Sequence, residues 1–552
     1  MRIYVADERD TLYRLSSHYQ ISIDQLMSAN PHIDRPDRTI TGMQVRIPSP
    51  RAFSVPRAIA PFCPIAPEES LIRNWIPLTT AAEMAATEYD VLIVGSGMGG
   101  SSALWRLCEQ WGRNGKRIGM VERGPQFLPT HIMNVPTMDG LNFRLFRPSQ
   151  ITDWIGNRLP QFNGLRLINA LGGRGTLWGG ITPRVPDFDI AKNWPISPSD
   201  MIMYYNIAEE LLSVTREYTR NSLMTQVLLE RLRRNGFPHA DDLPMAADLS
   251  PTLLGKVNSN VFSSSMTMIA KALNYRPFDL AVETYCAEVL TEGGRASGIR
   301  VVTSDRKSHV IKAKTVILSA SAMQTPRILL NSGIPGSAIG RYLVNHSYLV
   351  VTATLNTSSF PDPLGSLGIL IPGTEDRPYQ LQIQGPEQYF DYHYLTRPDK
   401  HVWTISDFYI SGVVEPRVEN RVFIDPGRRD AYGMPEPQVS FSYSAKDEEI
   451  IGQMYDAAIQ SCNAMQLQLQ MTDGVPSICM MAPGADNHEA GTCRMGEDPN
   501  TSATNQFGQI HGMPGLYVAD ASVLPSMWAN NPSLSIAALA IRTADHIVKN
   551  QP

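Results

Sequence analysis

The clearest hydrophobic pattern in the chain is an unbroken apolar run, Val91-Leu92-Ile93-Val94, followed at once by Gly95-Ser96-Gly97-Met98-Gly99-Gly100. An apolar run without alternation suits a strand buried on both faces of a parallel sheet. Ser101 to Trp111 then carries Leu104, Leu107 and Cys108 at helical spacing, and Ile118 to Val121 is a second apolar run ending at Glu122. Strand, glycine turn, helix and strand in that order predict a nucleotide-binding βαβ unit. Within it Gly95 makes the tight turn, Gly97 lets a pyrophosphate approach the backbone at the helix N-terminus, and Gly100 lets helix and strand pack closely. Glu122, at the end of the second strand, is placed to accept from ribose hydroxyls.

Residues 1–50 carry a different pattern: a strand Ile3 to Val5, helices opening near Asp10-Thr11 and near Ser22, and a closing strand Val45 to Ile47. Asp10 and Ser22 are suitable N-caps, and Leu12, Leu15 and Tyr19 share one helix face while Ile23 and Leu26 share another. The expected product is a β-α-α-β module. The phrases Asp10-Thr11-Leu12-Tyr13, Tyr19-Gln20-Ile21-Ser22-Ile23-Asp24-Gln25-Leu26, Asn30-Pro31 and Gly42-Met43-Gln44-Val45-Arg46-Ile47-Pro48 resemble a LysM domain. That resemblance implies binding of N-acetylglucosamine-containing glycan, or a docking role toward a protein partner. Residues 51–86, with Pro56, Pro61, Pro64 and Pro67, read as a stiff connector.

Further along, Asn420 to Pro426 and Gln438 to Tyr443 alternate as strands of an antiparallel sheet. Tyr389, Phe390, Tyr392, His393, Tyr394 and Trp403 lie in the same region and suit stacking on a sugar ring. Leu516 to Ala519 is a short buried strand that delivers Asp520, by carboxylate or backbone amide, to the carboxyl edge of a parallel sheet. Asn531 as N-cap and Pro532 as first helical residue open a helix from Ser533 to about Ile547, whose apolar face is Ile536, Leu539, Ala540 and Ile547.

Composition narrows the function classes. At 552 residues the chain has room for two or three domains, and a net charge of -5 without a basic run excludes a nucleic acid or an anionic membrane as the expected partner. No stretch resembles a membrane-spanning helix or a secretory signal, so the expected location is cytoplasmic, with cell-wall or spore association open through the LysM-like module. The six cysteines are scattered without CxxC pairs, and no metal site is predicted.

Three further phrases carry a second resemblance. They are Ser319-Ala320-Ser321-Ala322-Met323-Gln324-Thr325-Pro326-Arg327 through Ile334, Gly340-Arg341-Tyr342-Leu343-Val344-Asn345-His346, and His488-Glu489-Ala490-Gly491-Thr492-Cys493. Over roughly residues 88–550 the chain resembles the glucose-methanol-choline (GMC) oxidoreductases, nearest their pyranose-oxidase and sugar-dehydrogenase branch. The resemblance implies FAD and an α/β fold, α+β overall: a Rossmann-like FAD-binding domain with a parallel sheet, and a substrate domain with an antiparallel sheet. FAD-binding segments are expected at 87–200, 276–344 and 481–552, a substrate-domain or helical insertion at 201–275, and the substrate-binding domain at 345–480.

The implied catalytic pair is His488, as base for the hydroxyl proton, and Asn531, which orients and stabilises the developing alkoxide while hydride leaves to flavin N5. The loop around Gly173, Thr176 and Leu177 is the implied flavin contact, with Asp520 and Pro532 closing the cofactor site. Some relatives carry a histidine in that loop that bonds FAD covalently; Leu177-Trp178 stands here instead, so noncovalent FAD is expected. The expected reaction oxidises an alcohol of a sugar, glycoside or aminoglycoside-type compound, with O2 or another acceptor completing the cycle. Two alternatives stand beside it: a glycan-binding wall or spore protein with a flavoprotein scaffold, and an oxidase of sterols or other apolar alcohols.

Overall fold

The computed structural model describes residues 2–48, 75–135, 151–250, 261–356, 358, 360, 365–385 and 402–550. The chain forms two compact units, Met1–Arg73 and Asn74–Pro552. The expected aromatic cluster Tyr389 to His393 and Tyr394 lies outside the described residues, as does most of the proline-rich connector; of Trp403 only the backbone is described.

The first unit is the expected β-α-α-β module. Strand Arg2–Val5 pairs antiparallel with Gln44–Ile47, and helices Leu12–Tyr19 and Ile23–Ala29 lie between them in sequence. Leu12, Leu15, Leu26, Val45 and Ile47 form its core. The first helix is capped by Thr11, which accepts from the Arg14 amide at 3.1 Å, and not by Asp10. Asp10 turns back to accept from Tyr4 Oη (2.7 Å) and the Asp7 amide (2.8 Å). So small a core needs help, and buried Asn30 supplies it: its amide donates to the Leu26 and Arg46 carbonyls and its oxygen accepts from the Arg46 amide, each at 2.7 Å.

In the second unit five strands run parallel in the spatial order Asp279–Ala281, Ile118–Val121, Glu88–Val94, Ser308–Leu318, Leu516–Val518. The long strand Ser308–Leu318 serves two neighbours along one edge: its first half pairs antiparallel with Arg295–Thr303, its last three residues parallel with Leu516–Val518. Helix Met98–Trp111 packs against Ser533–Asn550 and Ser265–Tyr275. Gly99 and Gly100 let the start of this helix lie against the glycine turn and the end of the Leu516–Val518 strand, because a Cβ on them would lie 1.7 Å from the Ala519 carbonyl oxygen and 2.0 Å from the Gly95 carbonyl oxygen. The carboxyl ends of the parallel strands thus leave a cleft, as open α/β sheets do.

The second sheet is antiparallel, in the order Gln468–Leu469, Ser347–Asn356, Val402–Gly412, Tyr379–Gly385, Leu367–Ile371, Asp241–Asp242. Leu228 and Leu232 of helix Leu223–Arg234 and Met454 and Cys462 of helix Ala445–Met465 bury one of its faces. The segment 201–275 therefore divides: its central helix belongs to this core, whereas Pro198–Leu212 and Ser265–Tyr275 contribute to the core of the parallel sheet.

Strands Arg421–Arg429 and Pro435–Ser440 pair with each other as a separate hairpin and not as part of the larger sheet. Arg327, 2% exposed, holds that hairpin to helix Ser321–Asn331 through the Pro435 carbonyl (2.7 Å), the Met434 carbonyl (3.2 Å) and an ion pair with Asp430 (2.7 Å). Among the described residues, no helix is long and apolar enough to cross a membrane.

Candidate active site

A cleft of about 490 Å³ opens along the carboxyl edge of the parallel sheet, lined at one end by Gly95 to Gly99 and Glu122 and at the other by His488, Asn531 and Pro532. Gly95 has φ +95°, and a Cβ there would lie 2.4 Å from the Ser319 carbonyl oxygen, so the turn requires glycine. Gly97 differs: it is the N-cap of helix Met98–Trp111, and a Cβ on it would meet no protein atom within 4 Å. It faces open cleft at a helix N-terminus, the environment a pyrophosphate requires. Gly100 lies behind the turn and does not line the cleft, in keeping with a packing role.

Glu122 is buried and accepts from the Ser96 amide (3.0 Å), Ser96 Oγ (2.6 Å) and the Gly124 amide (2.8 Å). Burial pushes its carboxyl upward in pKa against the opposing pull of these donors. Ser96 Oγ also accepts from the Gly172 amide at 2.8 Å, tying the glycine turn to the loop at 171–180. In that loop Gly173 and Leu177 line the cleft, but Thr176 does not: it is fully buried and donates to the Gly173 carbonyl at 2.9 Å.

Asp520 sits at the end of the Leu516–Val518 strand, as the sequence implies, but its carboxylate is already fully engaged. It accepts from the Ser522 amide (2.9 Å), Ser522 Oγ (2.5 Å), the Ser321 amide (3.0 Å) and Thr325 Oγ1 (2.5 Å). Burial raises its pKa, and the same four donors oppose the rise. Asp520 lines the cleft with its carboxylate already engaged and its carbonyl accepting from the Val523 amide at 3.2 Å. These features fit FAD: a glycine cradle open to the pyrophosphate, buried carboxylates flanking the cleft, and a second helix N-terminus at its far end.

That second helix, Ser533–Asn550, starts at Ser533 as its sequence suggests, with Pro532 just outside it. The Pro532 carbonyl accepts from the Ile536 amide at 2.9 Å, and Asn531 stands outside the helix. Asn531 is not a cap, because its side chain is engaged elsewhere. Its Oδ1 accepts from Gln380 Nε2 at 3.2 Å and from Gln382 Nε2, while its Nδ2 lies 3.4 Å from His488 Nε2. Both glutamines come from strand Tyr379–Gly385 of the antiparallel sheet and are fully buried, and the Oε1 of each is buried without a hydrogen-bond partner among the described residues.

His488 follows Asn487, whose φ of +62° is a left-handed turn that asparagine tolerates. Its Nδ1 lies 3.0 Å from Nδ1 of His346 and 3.5 Å from Oδ2 of Asp486, and its ring meets Tyr348 edge-on. Burial first, then the neighbouring His346 and Arg174, hold its pKa well below the ordinary histidine value, so it is neutral at pH 7. His346, Asp486 and His488 bring one ligand-type atom each within 4.8 Å, a spacing a metal ion also accepts, yet the two imidazoles meet directly at hydrogen-bond distance. Arg174 pairs with buried Glu489 at 2.5 Å beside them.

The geometry therefore joins the predicted His488 and Asn531, and adds His346, Asp486, Gln380 and Gln382, which sequence reasoning did not select. His346 closes the quoted Gly340–His346 phrase and Asp486 lies two residues before His488, so proximity in motif was the available signal. The glutamines gave no such signal.

A glycine turn at a helix N-terminus, with a neutral histidine and an asparagine amide at the other end of the cleft, suits a flavin-dependent alcohol oxidoreductase. Residues 163–348 and 416–540 match GMC oxidoreductase family models, and residues 4–48 match the LysM domain. The chain belongs to the GMC oxidoreductase family and carries a LysM domain at its N-terminus. It is 28% identical over 405 residues, 69% of this chain and 74% of the other, to a C-glycoside 3-oxidase from Arthrobacter globiformis. It is 23% identical over 563 residues, covering 85% and 96%, to a 2-methyl-1,2-propanediol dehydrogenase from Mycolicibacterium austroafricanum. The fold is also that of a pyridoxine 4-oxidase crystal structure from Mesorbium loti, with a TM-score of 0.63 at 15% identity over 83% of this chain and 99% of that one.

Proposed function

We propose that this enzyme oxidises a hydroxyl of a sugar or sugar-like compound to a carbonyl, with noncovalent FAD. The observation that carries the reading is Asn531 Nδ2 at 3.4 Å from His488 Nε2, at the cleft end where helix Ser533–Asn550 begins. Neutral His488 takes the hydroxyl proton at Nε2, and the Asn531 amide donates to the oxygen as it becomes an alkoxide. FAD, when bound, accepts the hydride from the carbinol carbon. Gly97 and the N-terminus of Met98–Trp111 hold its pyrophosphate, Glu122 its adenosine ribose, and Gly173, Leu177, Asp520 and Pro532 the flavin end.

A polyhydroxyl substrate is favoured over an apolar alcohol because the residues that line the cleft beside His488 are polar: Asp486, Asn487, Glu489 and Asn531. The similarity to a C-glycoside 3-oxidase agrees with this choice. Noncovalent binding is supported by the lining of the cleft: Cys286 has its thiol pushed up to about 12 by burial, and no histidine occupies the loop at 171–180.

A panel of monosaccharides, C- and O-glycosides, aminoglycosides, a small diol and a sterol, tested for anaerobic bleaching of the oxidised-flavin absorption, decides the class. Bleaching by a sugar-like compound, lost in His488→Ala, is the expected result. Bleaching by the small diol alone supports the second reading, which rests on the propanediol dehydrogenase relative. Bleaching by the sterol alone, or by nothing on a flavin-loaded protein, refutes the carbohydrate assignment. Denaturation should release all flavin into solution. The LysM domain is read as a glycan-binding module for cell-wall association, and co-sedimentation of the full chain with peptidoglycan or chitin tests it.

A further inference from the structure

Proton removal by His488 needs a bare Nε2, and a neutral imidazole is as well described by either tautomer until something fixes the proton. The residue that fixes it is visible in the hydrogen bonds behind the base. His346 Nε2 lies 2.8 Å from the Trp528 carbonyl, and a carbonyl only accepts, so Nε2 of His346 carries a proton. His346 is 3% exposed, and burial brings its pKa down to about 4, so the ring is neutral and its Nδ1 is an acceptor. That Nδ1 faces Nδ1 of His488 at 3.0 Å, with the rings 81° apart.

We propose that His346 is the positioning residue of this active site: it accepts the Nδ1 proton of His488 and thereby leaves Nε2 of His488 bare toward Asn531. The opposite tautomer sets two lone pairs against each other at 3.0 Å in a buried site. Asp486 Oδ2, 3.5 Å from the same Nδ1, is a second acceptor on that side once its carboxyl has ionised, and then favours the same proton position. On the other side the Asn531 amide nitrogen, whose orientation is set by Gln380 and Gln382, donates toward Nε2.

The loop geometry links the two halves. Trp528 has φ +47°, a left-handed conformation unusual for so large a residue, and lies three residues before Asn531. The strained turn that aims the Trp528 carbonyl at His346 thus belongs to the loop that delivers Asn531. One loop sets both the proton on the base, through His346, and the amide that faces it. Once Nε2 has taken the substrate proton, the Nδ1–H bond to His346 is retained, so the imidazolium keeps the orientation of the base.

The kinetic part of this inference rests on His488 acting as the base, but the tautomer does not. NMR of the holoenzyme labelled with 15N-histidine should show His488 protonated at Nδ1 and bare at Nε2, and His346 the reverse. A His488 protonated at Nε2 overturns the proposal whatever the substrate proves to be. His346→Gln keeps one acceptor and one donor in nearly the same places, and should retain flavin reduction to within about threefold. His346→Leu keeps the volume and removes the acceptor, and should slow it about 100-fold with flavin content unchanged. Equal rates in His346→Leu and wild type overturn the proposal, as does an equal loss in the glutamine variant. If His346→Leu does not fold, the tautomer and His346→Gln still decide. If no compound reduces the flavin, the functional reading fails while the NMR result stands by itself.

Discussion

Nδ2 of Asn531 lies 3.4 Å from Nε2 of His488, and Oδ1 of the same asparagine is held by the amides of two buried glutamines. The amide cannot rotate without breaking both bonds, so it presents only a donor toward the reacting oxygen. Asn531→Ala should therefore slow flavin reduction roughly 100- to 1,000-fold, the range for removing one donor to a developing oxyanion. Gln382→Leu, which releases Asn531 without removing it, should cost about tenfold. Gln382→Leu should retain FAD, because Gln382 does not line the cofactor cleft. Stopped-flow reduction by the substrate found in the panel, with flavin content read in parallel, checks this; a Gln382→Leu loss as large as that of Asn531→Ala would contradict the holding role.

The pH profile follows from the same base. His488 must be unprotonated to work, and burial, His346 and Arg174 hold its pKa well below 6.5. The acid limb of kcat/KM should accordingly fall below pH 6.5, with no loss of activity from this group between there and neutrality. Arg174→Gln removes a positive charge near the ring and leaves Glu489 without its partner. Both changes favour the imidazolium, so the acid limb should move up, on the order of one pH unit. A limb that moves down, or stays, would place Arg174 outside the electrostatics of the base.

Two glycines two residues apart in the motif separate cofactor binding from packing. A Cβ at Gly97 meets no protein atom within 4 Å and its φ of -65° suits any residue, whereas a Cβ at Gly99 would stand 1.7 Å from the Ala519 carbonyl oxygen. Gly97→Ala should fold with the apoprotein's melting temperature unchanged and lose FAD affinity at least about tenfold. Gly99→Ala should lower the melting temperature, by roughly 1–3 kcal/mol or more of stability, in the apoprotein as well. Thermal melts with and without added FAD distinguish the two.

What could be read from the sequence was local. Gly95 to Gly100 declare themselves because turn, approach and packing are set by neighbours within one βαβ unit, and His488 because a motif surrounds it. The polar partners of Asn531 were illegible for a physical reason. Tyr379-Gln380-Leu381-Gln382-Ile383 alternates as a strand with a solvated face should, and only the tertiary placement of that face over Asn531 buries the glutamines. Asn531 was read as a helix cap because asparagine before proline favours one; competition from Gln380 and Gln382 decides otherwise. Thr176 has the composition of a flavin contact, but the turn at Gly172 and Gly173 directs it into the interior. Residues 421–440 alternate like roof strands, yet Arg327, from a distant helix, fixes them as a separate hairpin.

Asp486 gives a stability signature that activity does not report. Its side chain is 1% exposed, its Oδ1 accepts from Asn345 Nδ2 at 2.6 Å, and its Oδ2 has no hydrogen-bond partner among the described residues. Burial, and after it the charge of Glu489, push its pKa up to about 7, above the 3.8 of an unperturbed aspartate. The folded protein therefore binds one more proton than the unfolded chain between about pH 4 and 7. The associated stability is complete below about pH 4 and is lost as pH rises through 7, where the buried carboxylate ionises. Asp486→Asn retains an oxygen for Asn345 and cannot ionise. Relative to wild type it should gain stability as pH is raised from 5 to 8, on the order of a few kcal/mol, and the difference should level off above that range. Denaturant unfolding of both proteins across this interval measures it. A difference that does not change with pH would mean that Asp486 titrates normally, and a difference of the opposite sign would mean that its carboxylate is held in the folded state as the charged partner of His488.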